Sequence, residues 1–99
     1  MALKVYISGK ISGLPHAIAL SKFKASERIL FSENYIPVNP MELNHTEHDQ
    51  SWEGFMRVDL KALCDCDAIY MMNNYEDSRG AKIELQLARD LGMKIMFEL

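Results

Sequence analysis

Apolar residues along the chain follow two alternating rhythms. Short runs dense in β-branched, aromatic and long aliphatic residues occur at Lys4–Ser8, Tyr35–Val38, Ala68–Met72 and Lys94–Phe97, the composition of strands. Between them lie three stretches whose apolar positions repeat every three or four residues, the period of a helix with one buried face. The first runs from about Pro15 to Leu30, with Ala19, Phe23, Ser26 and Leu30 on one face and Lys22, Lys24, Glu27 and Arg28 outside it. Pro15 suits the first turn, where its missing N–H loses no bond. The second runs from about Trp52 to Leu63, with a stripe of Trp52, Met56, Leu60 and Leu63. The third runs from about Arg79 to Leu91, with Ser78 as N-cap and Gly92 as the stop.

Strand and helix therefore alternate as β-α-β-α-β-α-β with short connections. That order predicts a small flavodoxin- or Rossmann-like three-layer α/β domain spanning residues 1–99. Its parallel sheet of four strands is expected in the order 2-1-3-4, with three main helices. Ala68–Met72 is almost continuously apolar, as a strand covered on both faces must be. Pro37 cannot donate to a ladder, which places the second strand at an edge. In such sheets ligands bind beyond the carboxyl ends of the strands, beside the switch in strand order. Here that switch lies between strands 1 and 3, and the loops are Gly9–Gly13, Asn39–Glu42 and Asn73–Ser78. The polar stretch 42–51 reads as a mobile loop.

Composition narrows the function classes. The chain has 99 residues, 48% of them hydrophobic and 25% charged, with a formal net charge of −3. A negative balance argues against general nucleic-acid binding, which rests on cationic neutralisation of phosphates. No apolar run approaches the roughly 20 residues that span a bilayer, and the start of the chain lacks a signal-peptide layout. The expected setting is the cytoplasm, with no membrane partner. Cys64 and Cys66 are too close for an easy disulfide and lack a second cluster for zinc, so reduced thiols without chemistry are expected.

Two acids stand on apolar helix faces. Glu84 shares a face with Ala81, Ala88 and Leu91; the competing reading leaves it in solvent, with Ile83 and Leu87 forming the buried face. Asp59 falls in the stripe of Met56 and Leu63, where a carboxylate is costly unless paired or set at a cavity; the competing reading pairs it on the flank with Lys61 or Arg57. Two acids converging on one cleft would suit glycosyl transfer. Ser8, Gly9, Lys10 and Ser12 form a small polar loop able to cradle an anion, and Ser78-Arg79-Gly80 offers a second anion site. An ordinary strand–helix turn and plain capping are the alternatives. Neither the dinucleotide fingerprint nor the P-loop spacing is present. Tyr6 is either a buried tyrosine with a satisfied hydroxyl or part of the site. His45 and His48 read as solvated loop histidines rather than metal ligands.

Val5-Tyr6-Ile7-Ser8-Gly9, Asn39-Pro40, Met56-Arg57-Val58-Asp59-Leu60, Cys66-Asp67-Ala68-Ile69 and Ser78-Arg79-Gly80-Ala81 with Glu84 resemble a family of short bacterial and phage proteins. That family is grouped with the nucleoside 2-deoxyribosyltransferase-like superfamily, which includes the 2′-deoxynucleoside 5′-monophosphate N-glycosidases. The resemblance implies that Glu84, in its Gly80-Ala81-Lys82-Ile83-Glu84 setting, is a nucleophile toward C1′ of a deoxyribose. It implies that Asp59 contacts the sugar and the scissile region, that Tyr6 orients the nucleophile, and that Ser78 helps hold a phosphate. Ser12 stands where the glycosidases carry an arginine, and Lys10 is the candidate to replace it. Ser78 also stands where the transferases carry an aspartate for the base, with Asp77 one step away.

The expectation is an enzyme that cleaves or exchanges the N-glycosidic bond of a nucleoside or nucleotide. Glu84, Asp59 and Tyr6 would be catalytic, and Ser8, Gly9, Lys10, Ser12, Ser78 and Gly80 would bind substrate or phosphate. No cofactor and no metal are expected, and a homodimer or larger homo-oligomer is. The alternatives are a non-catalytic nucleotide-binding or sensing module of phage or mobile-element origin, and a partner-binding protein.

Overall fold

The computed structural model describes residues 2–45 and 50–99. Its elements are β1 (Lys4–Ser8), α1 (His16–Ser32), β2 (Ile36–Val38), α2 (Trp52–Cys64), β3 (Ala68–Met71), α3 (Arg79–Asp90) and β4 (Lys94–Phe97), with short 3-10 turns at Pro40–Glu42 and Tyr75–Asp77. All strand pairs are parallel, and the sheet order is β2-β1-β3-β4. The α/β architecture and strand order thus agree with the apolar pattern. Pro37 lies on β2, which pairs only with β1, so its lack of an N–H breaks no ladder.

Alternation along β1 divides the core. Val5 and Ile7 pack with Ala68, Tyr70 and Met72 against Phe23 and Leu30 of α1. Tyr6 packs with Ile69 and Met71 on the opposite face, against Leu63 of α2 and Ala81, Leu85 and Ala88 of α3. Sheet burial is therefore two-sided at β1 and β3, whose side chains from Val5 to Ser8 and Ala68 to Met71 are all buried. Each large side chain such as Phe23 or Leu30 contributes roughly 2 kcal/mol of apolar burial.

Local signals set the helix ends. Pro15 is the N-cap of α1 rather than its first helical residue, and its carbonyl accepts from the N–H groups of Ile18 and Ala19. The buried face is Ala19, Phe23, Ser26 and Leu30, as the spacing predicts. The helix continues two residues past Leu30 and stops at Asn34, which takes a left-handed φ of 70°. Ser51 and Ser78 cap α2 and α3 by accepting from Gly54 and Ala81. Gly92 ends α3 with φ 69°, as expected of a C-terminal stop.

Three sequence expectations need correction. Leu91 does not share the buried face of Glu84; it lies past the end of α3 and is exposed, and Leu85 takes the place. The segment read as a mobile loop from residue 42 begins inside a 3-10 turn, and Glu42 is tied to Lys24 at 2.8 Å. His45 is not a solvated loop histidine, because Asp59 and Phe55 hold it. His48 lies outside the described residues.

Gly9 is demanded by close approach at the sheet's carboxyl edge. A Cβ there would sit 2.9 Å from Met72 Cβ and 2.5 Å from its sulfur. The first is bonded directly to the backbone and cannot swing away. Gly9→Ala is expected to cost about 1–3 kcal/mol through forced displacement of β3 or the loop. Equilibrium denaturation tests this, and an unchanged midpoint would show that the edge yields freely.

Candidate active site

Strand periodicity explains the centre of the site. Tyr6 and Ser8 are two residues apart on β1, so both side chains leave the same face of the sheet, about 7 Å apart. That face is covered by α3, whose buried positions are Ala81, Glu84, Leu85 and Ala88. Glu84 therefore meets two hydroxyls of one strand. Tyr6 Oη donates to Glu84 Oε2 at 2.7 Å, and Ser8 Oγ donates to Oε1 at 2.6 Å. Tyr6 and Ser8 are fully buried, and Glu84 is 5% exposed. The reading that leaves Glu84 in solvent is overturned by this arrangement.

Burial governs the charge. Removal from water pushes the Glu84 carboxyl up to about 7. The hydrogen bonds from Ser8 and Tyr6 favour the ionised form and oppose that rise, while the nearby Asp59 charge adds to it. Burial and the adjacent Glu84 carboxylate also hold the Tyr6 phenol well above its usual value, so it remains a neutral donor.

Asp59 is the second buried acid, 8% exposed on the inner face of α2. His45 Nε2 lies 2.8 Å from Asp59 Oδ1 and replaces the flanking lysine or arginine as the expected partner. Phe55 steadies the imidazole through an edge contact at 4.9 Å between ring centroids. Burial raises the Asp59 carboxyl, and the His45 hydrogen bond and charge oppose the rise. Both acids thus favour the protonated form more than free carboxyls do.

The two carboxyls open onto one cleft of about 690 Å³ at the carboxyl edge of the sheet, where the switch between β1 and β3 predicts it. Tyr6, Asp59 and Glu84 line it, as do Gly9, Ser12, Ser78 and Gly80. The sequence-selected residues Ser8 and Lys10 do not line it. Ser8 is spent on Glu84 beneath the floor. Lys10 serves the loop: its N–H donates to Asn74 Oδ1, and its side chain lies over Gly13.

Several lining residues escaped sequence reasoning. Met41, Phe55 and Ile11 form apolar wall, and Trp52 leaves its expected core role to join them. Arg79 lies over the Trp52 ring, 4.1 Å from its centroid, a cation–π contact. Gly80 lets the two helices meet, since a Cβ there would approach Met56 sulfur at 3.0 Å. The contacts of His45 with Asp59 and of Trp52 with Arg79 join residues far apart in the chain, and no local pattern announces them. For Trp52 one signal existed, its place at the first turn of a helix whose N-terminus faces the ligand edge.

Among the described residues, no group of three or more histidine, cysteine or acidic side chains could hold a metal ion. No helix there is long and apolar enough to cross a membrane. Cys64 is exposed; Cys66 is half-buried, and burial pushes its thiol up to about 11, away from thiolate chemistry.

Fold and site define an α/β protein with a paired-acid cleft at the carboxyl edge of a four-stranded parallel sheet. The chain belongs to the family described as "Domain of unknown function (DUF4406)", whose pattern matches residues 3–97. A search of curated proteins finds no match.

The raised Glu84 carboxyl has a consequence for stability. An unfolded glutamate releases its proton near 4.5, whereas the folded one keeps it to about 7. Stability therefore falls as pH rises between those values, by roughly 3 kcal/mol in total. Glu84→Gln carries no such proton. Its stability relative to the wild type is expected to grow from pH 4.5 to 7 and then level off. Denaturation at several pH values measures the difference, and a gap independent of pH would contradict the buried, proton-retaining carboxyl.

Proposed function

We propose that the protein cleaves or exchanges the N-glycosidic bond of a 2′-deoxynucleoside or its 5′-monophosphate, with Glu84 as nucleophile. The observation that carries this reading is a buried glutamate whose two oxygens are held by separate hydroxyls at the floor of a cleft, with a second buried acid beside it. The resemblance of the surrounding motifs to the deoxyribosyltransferase-like superfamily supports the same reading.

In the first step a Glu84 oxygen bonds to C1′ as the C1′–N bond breaks. The electron pair of that bond leaves with the base, which takes a proton from the Asp59 side of the cleft. Burial suits Asp59 to hold a proton, and the His45 contact, which favours the ionised form, suits it to release that proton. Water then attacks C1′, gives up a proton to the same acid, and frees Glu84; an incoming base in place of water gives transfer. A desolvated carboxylate fixed by Tyr6 and Ser8 needs little reorganisation as positive charge develops on the sugar. The apolar wall of Trp52, Phe55 and Met41 suits a planar base. Ser78, Gly80, Ser12 and Arg79 are the polar groups suited to the 5′ end, and nothing in this scheme calls for a cofactor. A homodimer or larger assembly belongs to the same proposal and rests on the resemblance, and the cytoplasm is the setting proposed for it.

Chromatography of free base released from deoxynucleosides and their 5′-monophosphates tests the reading. The wild type is expected to release base, Glu84→Gln to lose activity by at least a thousandfold, and Asp59→Asn by about a hundredfold. The wild-type rate should rise with pH through about 7 as Glu84 ionises. Binding of nucleotides without release from any of them would favour a sensing module on the same fold.

A further inference from the structure

Ser8, the last residue of β1, is a fully buried polar residue, which is costly unless its hydroxyl is satisfied. An alanine would fill nearly the same space on β1. The hydroxyl has one clear use, its 2.6 Å bond to Glu84 Oε1. Tyr6 holds the other oxygen from two residues earlier on the same strand. The terminal torsion of a glutamate is broad, so a single hydrogen bond leaves the carboxylate free to swing about it. Two bonds from one rigid strand, one to each oxygen, remove that freedom.

We propose that Ser8 is a positioning residue for Glu84, completing with Tyr6 a two-hydroxyl clamp that fixes the plane of the carboxylate at the floor of the cleft. The role in turnover rests on the glycosyl-transfer reading; the clamp itself does not. For a displacement at carbon, a fixed carboxylate plane keeps the attacking oxygen in reach and in line, where small misplacement is expensive. The same bond opposes the effect of burial on Glu84 more strongly than the Tyr6 bond does. Other groups facing this carboxyl or its cleft are Tyr6 on β1, Asp59 on α2, His45 before α2, His16 on α1, and Asp77 and Arg79 at the start of α3. None of them donates to Oε1 in place of Ser8.

The test compares wild type, Ser8→Ala and Ser8→Cys, the last keeping a donor at the same position but a weaker and bulkier one. Each is checked for folding by its denaturation midpoint. Glu84 is titrated by carbon NMR on glutamate-labelled protein, and base release from a deoxynucleoside 5′-monophosphate is followed against pH. Ser8→Ala is expected to raise the Glu84 titration by about one unit, with a smaller rise for Ser8→Cys. Base release by Ser8→Ala should then fall about tenfold further at pH 6 than at pH 9. A folded Ser8→Ala with an unchanged Glu84 titration and an unchanged pH profile overturns the proposal. If the wild type releases no base, the titration still decides: a shift upholds the clamp while the glycosyl-transfer reading fails.

Discussion

The site depends on keeping one carboxylate out of water. Glu84 sits where α3 presses on the sheet, and its burial makes the charged form expensive. Two hydroxyls from β1 return part of that cost as hydrogen bonds. The carboxyl consequently titrates near neutrality, where a small change in surroundings decides whether it is charged. The neighbouring acid acts on the same balance. Asp59 lies close enough to disfavour a second charge, and His45 in turn steadies Asp59.

The fold supplies the rigidity that such a balance needs. β1 is a central strand paired on both sides, so Tyr6 and Ser8 cannot move independently of the sheet. Ser78 caps α3 and starts the helix that carries Glu84. Gly80 lets α2 approach that first turn, which brings Asp59 and the Trp52–Arg79 stack to the same edge. On the far wall, Asn39 caps the Pro40–Glu42 turn and donates to Glu27, while Lys24 bonds Glu42. That network pins Pro40 and Met41 against α1, so the wall of the cleft is anchored to the layer on the other face of the sheet.

How much of this was legible in the sequence follows from the range of each interaction. The four strands and three helices were readable because periodicity and caps are local; Ala19, Phe23, Ser26 and Leu30 mark the buried face of α1 residue by residue. Pro37 identified the edge strand for the same reason. Glu84 and Asp59 stood out as acids on apolar stripes, and Tyr6 as a polar tip on a central strand. The partners of these residues were not legible. Ser8 looked like part of an anion loop because its neighbours Gly9 and Ser12 are loop residues, yet strand alternation turns it inward beside Tyr6. His45 looked solvated because its neighbours in sequence are polar, and only its tertiary contact with Asp59 reveals otherwise. Leu91 fitted the helical period, but the helix ended one residue too soon to bury it.

The most direct test of the central claim is a search for the covalent intermediate. The protein is mixed with a deoxynucleoside 5′-monophosphate, quenched early in turnover, digested and examined by peptide mass spectrometry. A nucleophilic Glu84 gives a deoxyribosyl phosphate adduct on the peptide that holds it, attached at that residue and absent from Glu84→Gln. Base release with the adduct on another residue, or with water attacking and no adduct formed at all, would contradict a nucleophilic Glu84.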